Sequence, residues 1–264
     1  MKRINVGVVG ATGYTGLELV KILVNHPYFN LAYIANSEGS TTINALHPSL
    51  SGVCEDEVKK ADVQEIVENC ELVFLALPHK TAMAYVKPLL ALGVKVVDLS
   101  ADYRLTQEVY EEFYVPHTDV ENLARAVYGL PEMFREELKS AKLVANPGCF
   151  PTSAVLGLLP FMDKRQANTP IIIDAKTGVS GAGKKLSDST HFVNVNENLF
   201  AYNPLAHRHA PEIAQKLGVT LDEVHFVPHL VPVTRGMLSS IYIQVDGEFD
   251  EVEVLKEFYK NEKN

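Results

Sequence analysis

The sequence predicts an α/β fold: a doubly wound parallel sheet over residues 1–148, then an α+β domain over residues 149–264. Three observations predict it. Short apolar runs alternate with helix-period segments through the first half. A glycine-rich turn joins the first run to the first helix. In the second half, strand-like runs follow one another with little helix between them, which favours a mixed or antiparallel sheet.

Residues 4–9, INVGVV, form the first strand. Gly10-Ala11-Thr12-Gly13-Tyr14-Thr15-Gly16 follows, and Leu17, Val20, Leu23 and Val24 then recur at helical spacing. A strand, a glycine turn and a helix in that order form a Rossmann-type start. Glycine lets the backbone approach a pyrophosphate, and the helix N-terminus adds N–H groups and a positive dipole end. Gly10, Thr12, Gly13, Tyr14, Thr15 and Gly16 are therefore the candidate dinucleotide contacts. The competing reading is a tight turn with no ligand. Residues 31–35, 72–77, 95–99 and 143–145 read as further strands, with a helix over 81–92. In the second half, residues 170–177, 192–195, 224–227 and 238–245 read as strands. The charged tail KEFYKNEKN reads as a fraying helix end.

After the second strand comes Asn36-Ser37-Glu38-Gly39. A carboxylate there accepts from the ribose hydroxyls of NAD and repels the 2′-phosphate of NADP. No arginine follows nearby in sequence, so Glu38 tilts the residues toward NAD. With Glu38 turned to solvent, Ser37 is left to donate to a phosphate.

Composition narrows the partners. The 264 residues are 47% hydrophobic and 22% charged, enough for a sizeable core. A net charge of −9 argues against nucleic acid or an anionic membrane as the main partner. No apolar run reaches the length of a membrane span. The chain enters a strand at once, so no signal peptide is expected, and a cytoplasmic protein is. Cys54, Cys70 and Cys149 fit neither a zinc site nor a CxxC pair, so no metal is expected.

Cys149 differs from the other two. It follows the strand at 143–145 in NPGCFPT, and Pro151 suits the first turn of a helix. A thiol at a helix N-terminus is stabilised as the thiolate. The competing reading is a buried, inert cysteine. A thiol nucleophile calls for a base, and His207-Arg208-His209 precedes a second helix start at Pro211. In an extended chain His207 and His209 face opposite ways, so one of the two is expected at the sulfur. His26, His47, His117, His191, His225 and His229 read as structural. Arg208 or Arg235 could bind an anionic substrate group. The loop KTGVSGAGK, with Ser180 and Gly181, reads as a backbone cradle over nicotinamide or phosphate, or as a plain mobile loop.

Read together, GATGYTG, LSADYRL, YGLPE, NPGCFPT, KTGVSGAGK, HRHAPEI and VPHLVPVTRG resemble, in order, the N-acetyl-gamma-glutamyl-phosphate reductase family of arginine biosynthesis. The resemblance implies a second domain related to those of glyceraldehyde-3-phosphate and aspartate-semialdehyde dehydrogenases. It implies an acyl phosphate substrate, phosphate release to a Cys149 thioester, NADPH as hydride donor and an aldehyde product. It also implies His209 as acid/base with Glu212 as an orienting group, His207 second, and a homo-oligomer. Arg104, Arg208 and Arg235 become the candidates for phosphate or carboxylate recognition. Two departures accompany it. The family commonly has a basic residue beside the serine after the second strand, where this chain has Glu38. Family members also run several tens of residues longer, which implies a missing C-terminal part, an exposed sheet edge and a half-built cofactor pocket. Two alternatives stay open: an aspartate-semialdehyde dehydrogenase with the same chemistry on a shorter substrate, and a dinucleotide-binding protein without catalysis.

Overall fold

The computed structural model describes residues 2–262. The chain divides into two compact units, Met1–Pro147 and Gly148–Asn264. The first contains β1 (Ile4–Val9), α1 (Tyr14–Val24), β2 (Phe29–Asn36), β3 (Thr41–Thr42), α2 (Ile43–Leu46), β4 (Glu57–Lys60) and α3 (Val63–Asn69). It continues with β5 (Leu72–Leu75), α4 (Met83–Ala91), β6 (Lys95–Asp98), α5 (Gln107–Phe113), α6 (Val120–Leu123), β7 (Val127–Tyr128), α7 (Pro131–Ser140) and β8 (Leu143–Ala145). The eight strands run in the order β3-β4-β2-β1-β5-β6-β8-β7, all pairs parallel except β3 with β4.

Strand order reverses between β1 and β5. Such a switch point opens a crevice at the strands' carboxyl ends, where ligands of open α/β sheets bind. Both faces of the sheet are buried, as a parallel sheet requires. Val6, Val8, Ile34 and Val58 pack with Leu17 and Val20 of α1 on one face. Tyr33, Val73, Leu75 and Val96 pack with Ile66, Val86 and Leu89 on the other.

The second unit contains α8 (Cys149–Leu158), β9 (Ile171–Thr177), α9 (Phe192–Val195), β10 (Phe200–Ala201), α10 (Ala210–Leu217), β11 (Val224–Leu230), β12 (Met237–Tyr242) and α11 (Glu251–Tyr259). Its sheet, β10-β11-β9-β12, is mixed: β9 and β11 are parallel, and the two edge pairs are antiparallel. Phe150, Ala154 and Leu158 of α8 and Ile213 of α10 cover Ile171, Ile173 and Phe226 on one face of it. One expected strand is wrong. Residues 192–195 form the single turn α9, whose Phe192 and Val193 are exposed. The β-rich composition of FVNV misled because nothing pairs with that segment. Among the described residues, no helix is long and apolar enough to cross a membrane.

A buried acidic cluster ties together the loops after β5 and β6. Asp102, with no exposed surface, accepts the N–H of Lys80 (2.7 Å) and of Ala82 (3.0 Å), and the Tyr110 hydroxyl donates to it (2.9 Å). It thereby supplies the carboxylate that the start of α4, lacking a local side-chain cap, needs. Asp98, also fully buried, accepts from the N–H and hydroxyl of Ser100 (3.0 and 2.8 Å). Burial pushes the Asp98 carboxyl up to about 7, against those hydrogen bonds and the nearby Arg104.

A raised carboxyl favours the folded state fully below the unfolded value, and that gain is lost as pH climbs from about 4 to about 7. Asp98→Asn removes the titration while keeping an acceptor for the Ser100 N–H. The expected stability difference, variant minus wild type, therefore rises by about 3–4 kcal/mol between pH 4 and 8. Urea unfolding at several pH values checks it; a flat difference contradicts it.

Candidate active site

The first group of candidate residues lies at the switch point. Gly10 has φ +93°, and a Cβ there would lie 2.2 Å from the carbonyl oxygen of Ala76, just past β5. A Cβ on Gly16 would lie 2.5 Å from the carbonyl oxygen of Gly10. Only glycine closes this turn. Gly13 is the N-cap of α1, with no side-chain cap and no acidic residue in the first turn. Thr12, Tyr14 and Thr15 are exposed around it. An uncapped helix start in a glycine cradle fits a pyrophosphate, and the residues present fit a dinucleotide.

Sequence reasoning missed Asn36 here. Its Oδ1 accepts the N–H groups of Glu38 (2.9 Å) and Gly39 (2.6 Å), and its amide donates to Thr12 Oγ1 (3.1 Å). It locks the turn after β2 to the glycine loop. Asparagine followed by Ser-Glu-Gly was the available signal, since its side chain closes turns of this kind. Ser37 and Glu38 are exposed on that turn.

The second group lies in the second unit. Cys149 is the first residue of α8 and is exposed. The first turn of a helix carries N–H groups that lack partners within it, so the sulfur sits at a positive end. Glu212, 1% exposed on the first turn of α10, accepts the Gly148 N–H at 2.9 Å and so fixes the peptide just before Cys149. Burial depresses the Lys216 ammonium, and Glu212, four residues earlier on α10, pulls the other way. The other two thiols differ: burial pushes Cys70 up to about 12 and also raises Cys54.

Phe150 brings the histidines together. Its ring meets those of His207 and His209 edge-on, each at 5.9 Å, and the two imidazoles are 4.7 Å apart. The opposite-facing arrangement expected of an extended chain does not occur, because the backbone turns into α10 with His209 as N-cap. His207 Nδ1 accepts the His209 N–H at 3.1 Å. Burial, with Arg208 beside it, lowers His207 to about 4. At neutral pH its ring is therefore neutral, with the proton on Nε2. Tyr202, which sequence reasoning also missed, lies 5.6 Å from the His207 ring. Its phenol is pushed up to about 12, by burial first and then by the neighbouring Cys149.

Two other candidate groups are held by main-chain bonds. The N–H groups of Gly178, Val179 and Ser180 donate to carbonyls of Gly236, Val233 and Thr234, and those of Gly181 and Gly183 donate within the loop. These N–H groups are thus engaged with the Arg235 segment or within the loop, which leaves the loop's carbonyls and the Ser180 side chain to meet a ligand. Ser180 offers a half-buried hydroxyl, and Gly181 is exposed. Arg104, 5% exposed, donates to the carbonyls of Asn146 (2.7 Å) and Leu99 (2.8 Å), strapping the ends of β6 and β8. These bonds fix the guanidinium beside the ends of the two strands. Arg208 and Arg235 are exposed.

Known proteins agree with this organisation. A family model described as "Semialdehyde dehydrogenase, NAD binding domain" matches residues 5–141, and one described as "Semialdehyde dehydrogenase, dimerisation domain" matches residues 149–264. The chain is 74% identical over 264 residues to the N-acetyl-gamma-glutamyl-phosphate reductase of Sulfurimonas denitrificans, covering all of this chain and 79% of that protein. It is 58% identical to the same-named protein of Sulfurovum sp., covering 98% of this chain and 78% of that one. Among solved structures, the aspartate semialdehyde dehydrogenase of Candida albicans with NADP superposes with a TM-score of 0.70 at 17% identity, over 97% of this chain and 76% of that one. Aspartate semialdehyde dehydrogenase II of Vibrio cholerae gives 0.69 at 16% identity, over 100% and 80%. These two likenesses speak for the fold alone. With two family models and a relative at 74% identity, the chain belongs to the semialdehyde dehydrogenase family and is an oxidoreductase of its N-acetyl-gamma-glutamyl-phosphate reductase branch.

Proposed function

We propose that the chain reduces N-acetyl-γ-glutamyl phosphate to N-acetylglutamate semialdehyde, with NADPH, through a thioester on Cys149. The observation that carries this reading is the exposed thiol at the start of α8, with Gly148 held by Glu212. The name and 74% identity of the Sulfurimonas relative support the substrate.

The residues divide the work as follows. His209 takes the thiol proton; its main-chain N–H, donated to Nδ1 of neutral His207, fixes the residue at the start of α10. The Cys149 thiolate attacks the acyl carbon. The S–C bond forms, the C–O bond to phosphate breaks, and His209 returns the proton to the departing phosphate. N–H groups at the start of α8 stabilise the oxyanion. The chemistry a nicotinamide dinucleotide supplies when bound is hydride donation to the thioester carbon. The tetrahedral species then expels Cys149 as thiolate, which leaves the aldehyde. Arg208 and Arg235 bind the anionic groups of the substrate. Gly10, Thr12, Gly13, Tyr14, Thr15, Gly16 and Ser37 hold the dinucleotide, with Ser180 and Gly181 as secondary contacts.

The working protein is a cytoplasmic homo-oligomer on this reading, in keeping with the family description of residues 149–264 as a dimerisation domain. The test is a steady-state assay in the oxidative direction with phosphate. N-acetylglutamate semialdehyde is expected to be turned over far faster than aspartate semialdehyde, and NADP⁺ used in preference to NAD⁺. Preference for aspartate semialdehyde overturns the substrate assignment.

A further inference from the structure

The turn after β2 bears Glu38, whose charge opposes a 2′-phosphate, and no basic residue stands beside it in sequence. The fold supplies one from elsewhere. β4 pairs with β2 so that Lys60 lies opposite Asn36, and the Ala61 N–H donates to the Asn36 carbonyl at 2.8 Å. The turn leans on this lysine's backbone: a Cβ on Gly39 would lie 2.5 Å from the Lys60 nitrogen. Asn36 holds the turn there through its bonds to Glu38 and Gly39.

The two adjacent lysines have different fates. Lys59 pairs with Glu65 at 2.9 Å and lies 5.8 Å from the centre of the Tyr33 ring. Successive strand residues leave opposite faces. Lys60 therefore leaves the other face, shared with Val58, which packs with Leu17 and Val20 of α1. That is the face on which α1 presents its uncapped start. Lys60 is exposed, and among the described residues no ion pair engages it.

We propose that Lys60 reads the 2′-phosphate of NADP and sets the preference for NADP over NAD despite Glu38. This rests on the dinucleotide reading above and names the residue that decides between its two forms. A phosphate at the ribose 2′ position, beside the turn after the second strand, is where a charge at the end of the adjacent strand acts. An ammonium there serves as a point charge for it.

The test is direct binding, read by the dinucleotide's own fluorescence, since the chain contains no tryptophan. Lys60→Met is expected to raise the Kd for NADPH about tenfold while leaving that for NADH within about twofold. Lys60→Arg keeps the charge and is expected to stay within about threefold for both. The salt dependence of NADPH binding is expected to weaken in Lys60→Met. Equal losses for both dinucleotides, or no loss, overturn the proposal. So does a wild-type chain that binds NADH more tightly than NADPH, which leaves the reductase reading intact. A wild-type chain that binds neither overturns both.

Discussion

Cys149→Ser is expected to lower turnover on the order of 10⁴-fold or more while leaving the Kd for NADPH within about twofold. The two effects separate because the residues reside in different units. The dinucleotide candidates Gly10 to Gly16 lie in Met1–Pro147, whereas Cys149 opens the second unit. A serine hydroxyl keeps the shape of the helix start. It has no accessible anion near neutral pH, and the ester it would form resists hydride where a thioester does not. Single-turnover kinetics and fluorescence binding check both halves. A variant that turns over within tenfold of wild type contradicts the covalent scheme.

Glu212→Ala is expected to destabilise the chain by about 3 kcal/mol, roughly 10 °C in midpoint, and to lower kcat as well. The carboxylate is 1% exposed and accepts the Gly148 N–H. Its removal leaves that buried donor without this acceptor and removes the carboxylate that offsets the burial of Lys216. Both costs are large because neither group gains water in exchange. Glu212→Gln keeps an acceptor for Gly148 and is expected to lose less than half as much stability. Calorimetry on both variants checks the order, and equal losses contradict the Gly148 assignment. Thiol alkylation rates at Cys149 supply the second readout, because a displaced Gly148 peptide moves the sulfur.

What the sequence disclosed and what it hid follow from the range of the interactions. The glycine loop, the helix start at Pro151 and the helix start at Pro211 are local signals, and each element stands where its own residues put it. The inner strands β1, β2, β5, β6 and β8 were legible as short apolar runs, whereas β3, β7 and the charged β4 are too short or too polar to show in sequence. FVNV at 192–195 has the composition of a strand but no partner strand, so propensity without pairing misled. The approach of the two imidazoles was hidden for a related reason: it depends on a turn that packing against Phe150 accompanies. The interactions that assemble the sites span long stretches of chain. Glu212 reaches Gly148 across 64 residues, and Lys60 reaches the Asn36 turn only through strand pairing. Arg104 donates to the carbonyls of Leu99 and Asn146, contacts that composition could not disclose.

The most direct measurement omits the dinucleotide altogether. Wild-type chain is mixed with N-acetyl-γ-glutamyl phosphate, and released phosphate and the intact protein mass are followed together. The expected result is a burst of one phosphate per chain, matched by an N-acetylglutamyl adduct that peptide mapping assigns to Cys149 and that Cys149→Ser lacks. A protein that reduces the acyl phosphate when NADPH is added, yet shows neither burst nor adduct at Cys149, contradicts the thioester at the start of α8.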